Sequence, residues 1–279
     1  MRTEPAIHDH IPDSIYKGIR SVYHRIAAFF NTGYKIAHPK RRTNKQLHNG
    51  FVETTFDSQS EYQKYVREFE EGPVAKIRDE ALDKYQLLTG GDSSMGGISL
   101  DTARDYYCIT RKIQPETVIE TGVCNGLSTL SVLLAINKNE YGQLHSIDYP
   151  YRADESLEEF RDDTFESYGG AAIPSDKEPS WIIPGELRDH WELIIGKSQK
   201  ELPKLVTRVD NFDVFIHDSE HSHPCMMFEY ELACEWLNQE GIVLSDDITW
   251  NEAFDIFTHV RNVDRGKLSE NVGYMRKID

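Results

Sequence analysis

Four stretches of this 279-residue chain carry residue types that do chemistry together. The run Glu120-Thr-Gly-Val-Cys-Asn-Gly-Leu-Ser128 closes a short apolar stretch and opens a helical one. Gly122 and Gly126 let the backbone turn tightly and leave room for a ligand, while the helix N-terminus behind them offers N–H groups to a carboxylate. Asp148 ends the next apolar stretch, 28 residues after Glu120, where it can accept hydrogen bonds from two ribose hydroxyls. A Gly-x-x-x-Gly turn followed by an acid at the second strand end points to an adenosine-containing cofactor. Farther on, Asp218 ends a fourth apolar stretch and Asp246-Asp247 a fifth. Neighbouring strand ends would gather these three carboxylates, which repel and raise one another's pKa until a hard divalent cation relieves them. Oxygen-only ligands favour Mg2+ or Ca2+ over zinc. The alternative is that helix N-termini or Arg partners satisfy the acids.

Such residues need a scaffold that sets strand ends side by side. Apolar runs at Thr117–Thr121, Gln143–Asp148, Glu192–Gly196, Asp213–Asp218 and Gly241–Asp247 read as buried strands, with helices such as Ser128–Asn137 and Cys225–Asn238 between them. That alternation predicts an α/β fold: a Rossmann-like, doubly wound, mostly parallel sheet with helices on both faces. Ligands of such sheets bind outside the carboxyl ends of the strands. Upstream, Asp13 or Ser14 is expected to cap an amphipathic helix carrying Ile15, Ile19, Val22, Ile26, Phe29 and Phe30, and a second helix is expected over Ser60–Leu88. A Gly-rich break at 89–97 separates a helical, basic extension, residues 1–90, from a domain at 91–279.

Residues 151–190 hold eleven acids against four Lys/Arg and exceed an ordinary connection, which suggests an insertion acting as a lid or an oligomer contact. A solvated acidic face is the competing reading. After Asp247 the chain offers one helix, Asn251–Val260, and one late strand, Val272–Ile278, so the last strand pair is expected to be truncated or completed differently. Trp250, Asn251 and Phe254 stand as candidate substrate contacts.

The net charge of −16, from 31 Lys+Arg against 47 Asp+Glu, argues against a nucleic-acid partner. The charge is segregated: residues 14–52 hold eight bases and no acid, leaving −24 on the rest. A basic amphipathic segment of this kind suits an anionic membrane surface or a partner subunit, or simply covers the main domain. Four cysteines without disulfide-framework spacing fit a reduced, cytoplasmic compartment, and neither a signal peptide nor a transmembrane run is expected. Cys225 and Cys234 read as small buried residues, with nothing nearby to activate a thiolate.

From about Asp101 to Val260 the chain resembles class I S-adenosylmethionine-dependent methyltransferases, above all the catechol O-methyltransferase branch and related sugar and macrolide O-methyltransferases. The resemblance rests on Glu120–Ser128, Gly196-Lys-Ser-Gln199, Ile216-His-Asp-Ser-Glu-His221 and Leu244-Ser-Asp-Asp247. It implies that Gly122 and Ser128 meet the methionine end of the cofactor, Asp148 the ribose, and Ser198 with Gln199 the adenine, Glu120 and Gly126 completing the set. It also implies that Asp218, Asp246 and Asp247 bind Mg2+, or another divalent cation, which chelates two neighbouring substrate hydroxyls. His221 stands three residues after Asp218, where the catechol branch carries a lysine. With an unperturbed pKa of about 6.5 it is a competent base, and Asp218 is the other candidate, as in the sugar-modifying branch.

His217, His221, His223 and Cys225 also resemble a zinc set, but His217 and Asp218 point to opposite faces of a strand and His223 opens a helix before Pro224. The implied activity is metal-assisted O-methylation of a sugar or other vicinal diol by a cytoplasmic, homo-oligomeric enzyme. Two alternatives stand beside it: a catalytically silent cofactor-binding adaptor at a membrane or assembly, and a nicotinamide-dependent oxidoreductase. The second must accept Thr129 where a third glycine belongs.

Overall fold

The computed structural model describes residues 43–89, 97–155, 172–261 and 263–277. The expected helix beginning at Asp13 or Ser14 lies outside them. Residues 43–279 form one compact unit. It opens with three helices, α1 (Asn44–Thr55), α2 (Gln59–Glu70) and α3 (Gly72–Thr89). The single helix expected over Ser60–Leu88 is broken because Glu71 is extended and Gly72 takes φ +70°, after which Pro73 sits in the first turn of α3.

Then follow α4 (Leu100–Ile113), β1 (Thr117–Thr121), α5 (Leu127–Asn139), β2 (Gln143–Asp148), a 3-10 turn (Gly185–His190), β3 (Trp191–Ile195), α6 (Ser198–Val209), β4 (Phe212–His217), α7 (His223–Trp236), β5 (Leu237–Ser245), α8 (Ala253–Val260), β6 (Asp264–Lys267) and β7 (Gly273–Arg276). The sheet order is β3-β2-β1-β4-β5-β7-β6. Strands β1 to β5 are parallel and β7 runs antiparallel to both its neighbours. The tail is therefore a complete closing hairpin, not a truncated pair: β6 and β7 exchange backbone hydrogen bonds although Asp264-Arg-Gly-Lys267 shows no apolar pattern. Strand order reverses between β1 and β4, and the crevice above such a reversal is where ligands of this architecture bind.

Val118, Leu144, Val214, Ile216, Ile242 and Leu244 project to one face and share a core with Phe51, Tyr62 and Phe69 of α1 and α2 and with Tyr106 and Leu133 of α4 and α5. By alternation Ile119, Phe215 and Val243 face the other side, toward α7 and α8, whose Met226, Tyr230, Phe254 and Phe257 are buried. The helices at 44–89, expected as an extension apart from a domain beginning at 91, thus lie inside the compact unit and cover its sheet. A polar lock adds to this cover: buried Asp105 on α4 accepts from Tyr62 Oη at 2.6 Å and pairs with His48 Nε2 at 3.1 Å. Among the described residues no helix is long and apolar enough to cross a membrane.

Candidate functional site

The turn after β1 is built from inside. Glu120 is wholly buried, and its carboxylate accepts from Ser128 Oγ at 2.5 Å, Thr129 Oγ1 at 2.8 Å and Ser146 Oγ at 2.7 Å. Burial pushes its pKa up while the three hydroxyls pull it back. Glu120 and Ser128, both expected to touch the cofactor, direct their side chains at each other and so fasten the start of α5 to the end of β1. Gly122 and Gly126 have φ of +84° and +102°. A Cβ on Gly122 would overlap the backbone carbonyl of Asp218, and one on Gly126 would overlap Ser180 Oγ. The Cβ side of each of these glycines is closed by the protein's own chain, an approach that only the missing side chain permits. Gly126 is also the N-cap of α5 and supplies no side-chain cap.

Asp148 is where a ligand is called for. Buried at the end of β2, it accepts from the Val123 N–H at 3.1 Å through Oδ1, while Oδ2 is buried without a partner among the described residues. Burial, against backbone N–H groups that favour the anion, moves its pKa up to about 7. A buried carboxylate oxygen lacking a donor fits a ribose hydroxyl. Across the crevice, Ser198 begins α6 and lies against Cys225 Sγ at 3.8 Å, while Gln199 Nε2 donates to Glu220 Oε2 at 3.1 Å and to Cys225 Sγ at 2.9 Å. Burial moves Glu220 up to about 8, and its Oε1 is another buried oxygen without a partner among the described residues.

The acidic rim forms beyond β4 and β5. Desolvation, then Asp246 and Asp247, pushes Asp218 well above the carboxylate range; Asp246 rises to about 6 and Asp247 rises as well. Asp247 has φ +48°, a conformation uncommon outside glycine that recurs where function holds a residue in place. His221 Nε2 stands 3.6 Å from both Asp218 Oδ1 and Asp247 Oδ2, so the imidazole, two of the acids and the turn at Asp247 meet at one place. Burial, and then the charge of His217, takes His221 down to about 3, so it is neutral and far from the ordinary imidazole expected. Among the described residues no three His, Cys, Asp or Glu side chains close into a metal-holding group. The three carboxylates expected as metal ligands share a rim without caging an ion, and the zinc set dissolves because His217 turns away to α7.

Several functional groups escaped the sequence. His217 Nδ1 pairs with Glu229 Oε2 at 2.7 Å, both side chains having no exposed surface, and Glu229 also accepts from Thr121 Oγ1 at 2.6 Å and Ser219 Oγ at 2.7 Å. Although burial opposes its ionisation, His217, Ser198 and Thr121 hold Glu229 below its usual pKa. The available signal was an acid in the apolar run Met226-Met-Phe-Glu-Tyr230. Of the expected substrate contacts, Trp250 is 48% exposed with its ring 5.1 Å from that of His221. Asn251 donates to the His221 carbonyl at 2.8 Å, whereas Phe254 is core, packed where Gly273 leaves space. The end of the acidic insertion straps the turn: Ser180 N donates to the Cys124 carbonyl at 2.8 Å, Trp181 Nε1 to Asn125 Oδ1 at 2.7 Å, and the Trp181 ring stacks on Tyr85 of α3.

Residues 119–248 match a family model described as a methyltransferase domain. The fold is similar to the crystal structure of a Podospora anserina methyltransferase, PaMTH1, bound to SAH: TM-score 0.50 and 15% identity, covering 80% of this chain and 97% of that one. A putative O-methyltransferase from Klebsiella pneumoniae aligns with a TM-score of 0.46 and 10% identity, covering 85% of this chain and 99% of that one. No curated protein matches in sequence.

Proposed function

We propose that this chain, whose residues 119–248 match a methyltransferase domain, is an S-adenosylmethionine-dependent enzyme that methylates a hydroxyl with an oxygen neighbour, as in a sugar or another vicinal diol. The observation that carries this reading is the pairing of two unlike places on one sheet edge: the partnerless buried oxygen of Asp148, and the rim where His221 lies 3.6 Å from Asp218 and Asp247. The first suits a ribose and the second a hydroxyl that must lose a proton.

In this reading Asp148 accepts from the ribose, Ser198 and Gln199 border the adenine, and the uncapped start of α5 meets the methionine carboxylate. Bound S-adenosylmethionine supplies a methyl on a cationic sulfur; the acceptor oxygen forms the new C–O bond as the C–S bond breaks, and S-adenosylhomocysteine leaves. The acceptor's proton passes to Asp218, the more basic of the two groups, with neutral His221 3.6 Å away and Trp250 against the imidazole. His217 and Glu229 lie behind His221 and fix its ring, the two imidazoles meeting edge to face at 5.4 Å.

A divalent cation such as Mg2+ would rest on Asp218, Asp246 and Asp247, whose oxygens are the right donors. Because these side chains do not close around one point, neither the proton nor the bond change is assigned to an ion. The wider proposal is a cytoplasmic homo-oligomer acting on a small molecule or glycan and not on nucleic acid, with residues 14–52 meeting an anionic membrane surface.

Methyl-labelled S-adenosylmethionine incubated with fractionated cell extract, with and without EDTA, tests this. The expected result is label in an ether on a polyol fraction, lost with EDTA and reduced at least about 100-fold by Asp218→Asn or His221→Ala. Labelling indifferent to EDTA removes the cation, and label in no fraction overturns the reading.

A further inference from the structure

We propose that Tyr106 is a cofactor contact whose hydroxyl oxygen faces the cationic methyl-sulfonium of S-adenosylmethionine and lets the site distinguish that cofactor from its uncharged product. This rests on the reading of the chain as an S-adenosylmethionine-dependent methyltransferase.

The case begins with an unpaired atom. Tyr106, on α4, has no exposed surface, yet its hydroxyl has no hydrogen-bond partner among the described residues. Other buried tyrosines are paired: Tyr62 with Asp105 at 2.6 Å, Tyr230 with Ser245 at 2.6 Å and Tyr274 with Thr54 at 2.9 Å. A buried hydroxyl without a partner is destabilising, a cost that phenylalanine in the same space would avoid. The cost calls for a partner that arrives with a ligand.

Position says which ligand. The chain reaches α4 past Gly97, whose Cα faces the Asp218 carboxylate: an added Cβ would lie 3.9 Å from Asp218 Oδ2. The start of α4 therefore lies at the strand ends. Helical side chains lean toward the helix N-terminus, so the Tyr106 ring rises toward the same rim. There it meets the fields of Asp246, Asp218 and Glu120, at the ends of β5, β4 and β1, and of Asp105 beside it on α4; these acids and burial together keep the phenol protonated. A phenol oxygen set among carboxylates favours a cation. In a direct displacement the sulfonium must lie in line with the acceptor oxygen, hence beside Asp218 and His221. The hydrogens of its methyl are polarised by the positive sulfur and suit a C–H to oxygen contact. S-adenosylhomocysteine has neither that charge nor that methyl.

Calorimetric titration of the full-length protein and of Tyr106→Phe with S-adenosylmethionine and with S-adenosylhomocysteine tests the proposal, alongside thermal unfolding. Tyr106→Phe is expected to weaken S-adenosylmethionine binding about two- to fivefold while leaving S-adenosylhomocysteine within twofold and the melting temperature unchanged or higher. A fall in melting temperature, an equal loss for both ligands, or an unmoved ratio of affinities overturns it. If the wild-type protein binds neither ligand, the methyltransferase reading itself fails; if it binds both and the ratio does not move, only the role of Tyr106 fails.

Discussion

With Asp148 holding the ribose as proposed, its buried carboxylate oxygen, unpaired among the described residues, makes ligand binding and proton release one event. Its pKa of about 7 in the ligand-free protein lies above the ordinary value of about 4. The protonated form is therefore favoured by folding below pH 7, and the stability this gives is lost as pH rises through about 7. Ribose hydroxyls donate to the anion, so binding expels the proton. Affinity for S-adenosylhomocysteine should rise with pH up to about 7, by at most about tenfold per unit, and then level off. Calorimetry in buffers of different ionisation enthalpy checks this, and Asp148→Asn should both weaken binding and flatten the profile. Glu229 behaves differently, because its partners are all internal. Glu229→Ala should cost about 1–3 kcal/mol in urea unfolding by leaving His217 Nδ1 and Thr121 Oγ1 buried without their shared acceptor.

At the scale of elements, the turn after β1 is held on two sides, by Asp218 against Gly122 and by Ser180 and Trp181 against Cys124 to Gly126. Trp181→Ala removes one hydrogen bond and the stacking on Tyr85, and should weaken S-adenosylhomocysteine binding by about 1–2 kcal/mol. Hydrogen exchange should quicken at 122–126 and remain slow in β4, whereas uniform quickening would deny the strap. The five parallel strands were legible as apolar runs that end in polar residues, although β3, expected as buried, lies at the sheet edge with no buried residue and with Ile195 exposed. The acidic rim was legible for the same reason, since strand ends are places where a sequence changes character. The two glycines were recognised, but the reason for them was not: a close approach by residues 54 and 96 positions away leaves no local mark. Phe254 was misplaced because an aromatic beside a rim and an aromatic in a core are spelled alike. His217 and Glu229 announce themselves only as polar residues among apolar ones, and pairing them needs the register of β4 against α7.

For the molecule as a whole, the described helices up to residue 89 share a core with the sheet, so its stability is not divisible at the Gly-rich break. A chain starting at residue 91 should expose Tyr106, Leu133 and their neighbours and aggregate. Two separate transitions in the full-length protein, one of them assignable to residues 43–89, would contradict the shared core. The central claim is that one sheet edge holds S-adenosylmethionine through Asp148 and presents its methyl to the acidic rim. The most direct measurement is calorimetric titration of S-adenosylhomocysteine and of NAD into the wild-type protein and Asp148→Asn. The expected result is one site per chain with a Kd of roughly 1 μM, about −8 kcal/mol, weakened at least about tenfold by the substitution, and no heat from NAD. Binding that ignores Asp148→Asn, or tighter binding of NAD, would contradict the claim.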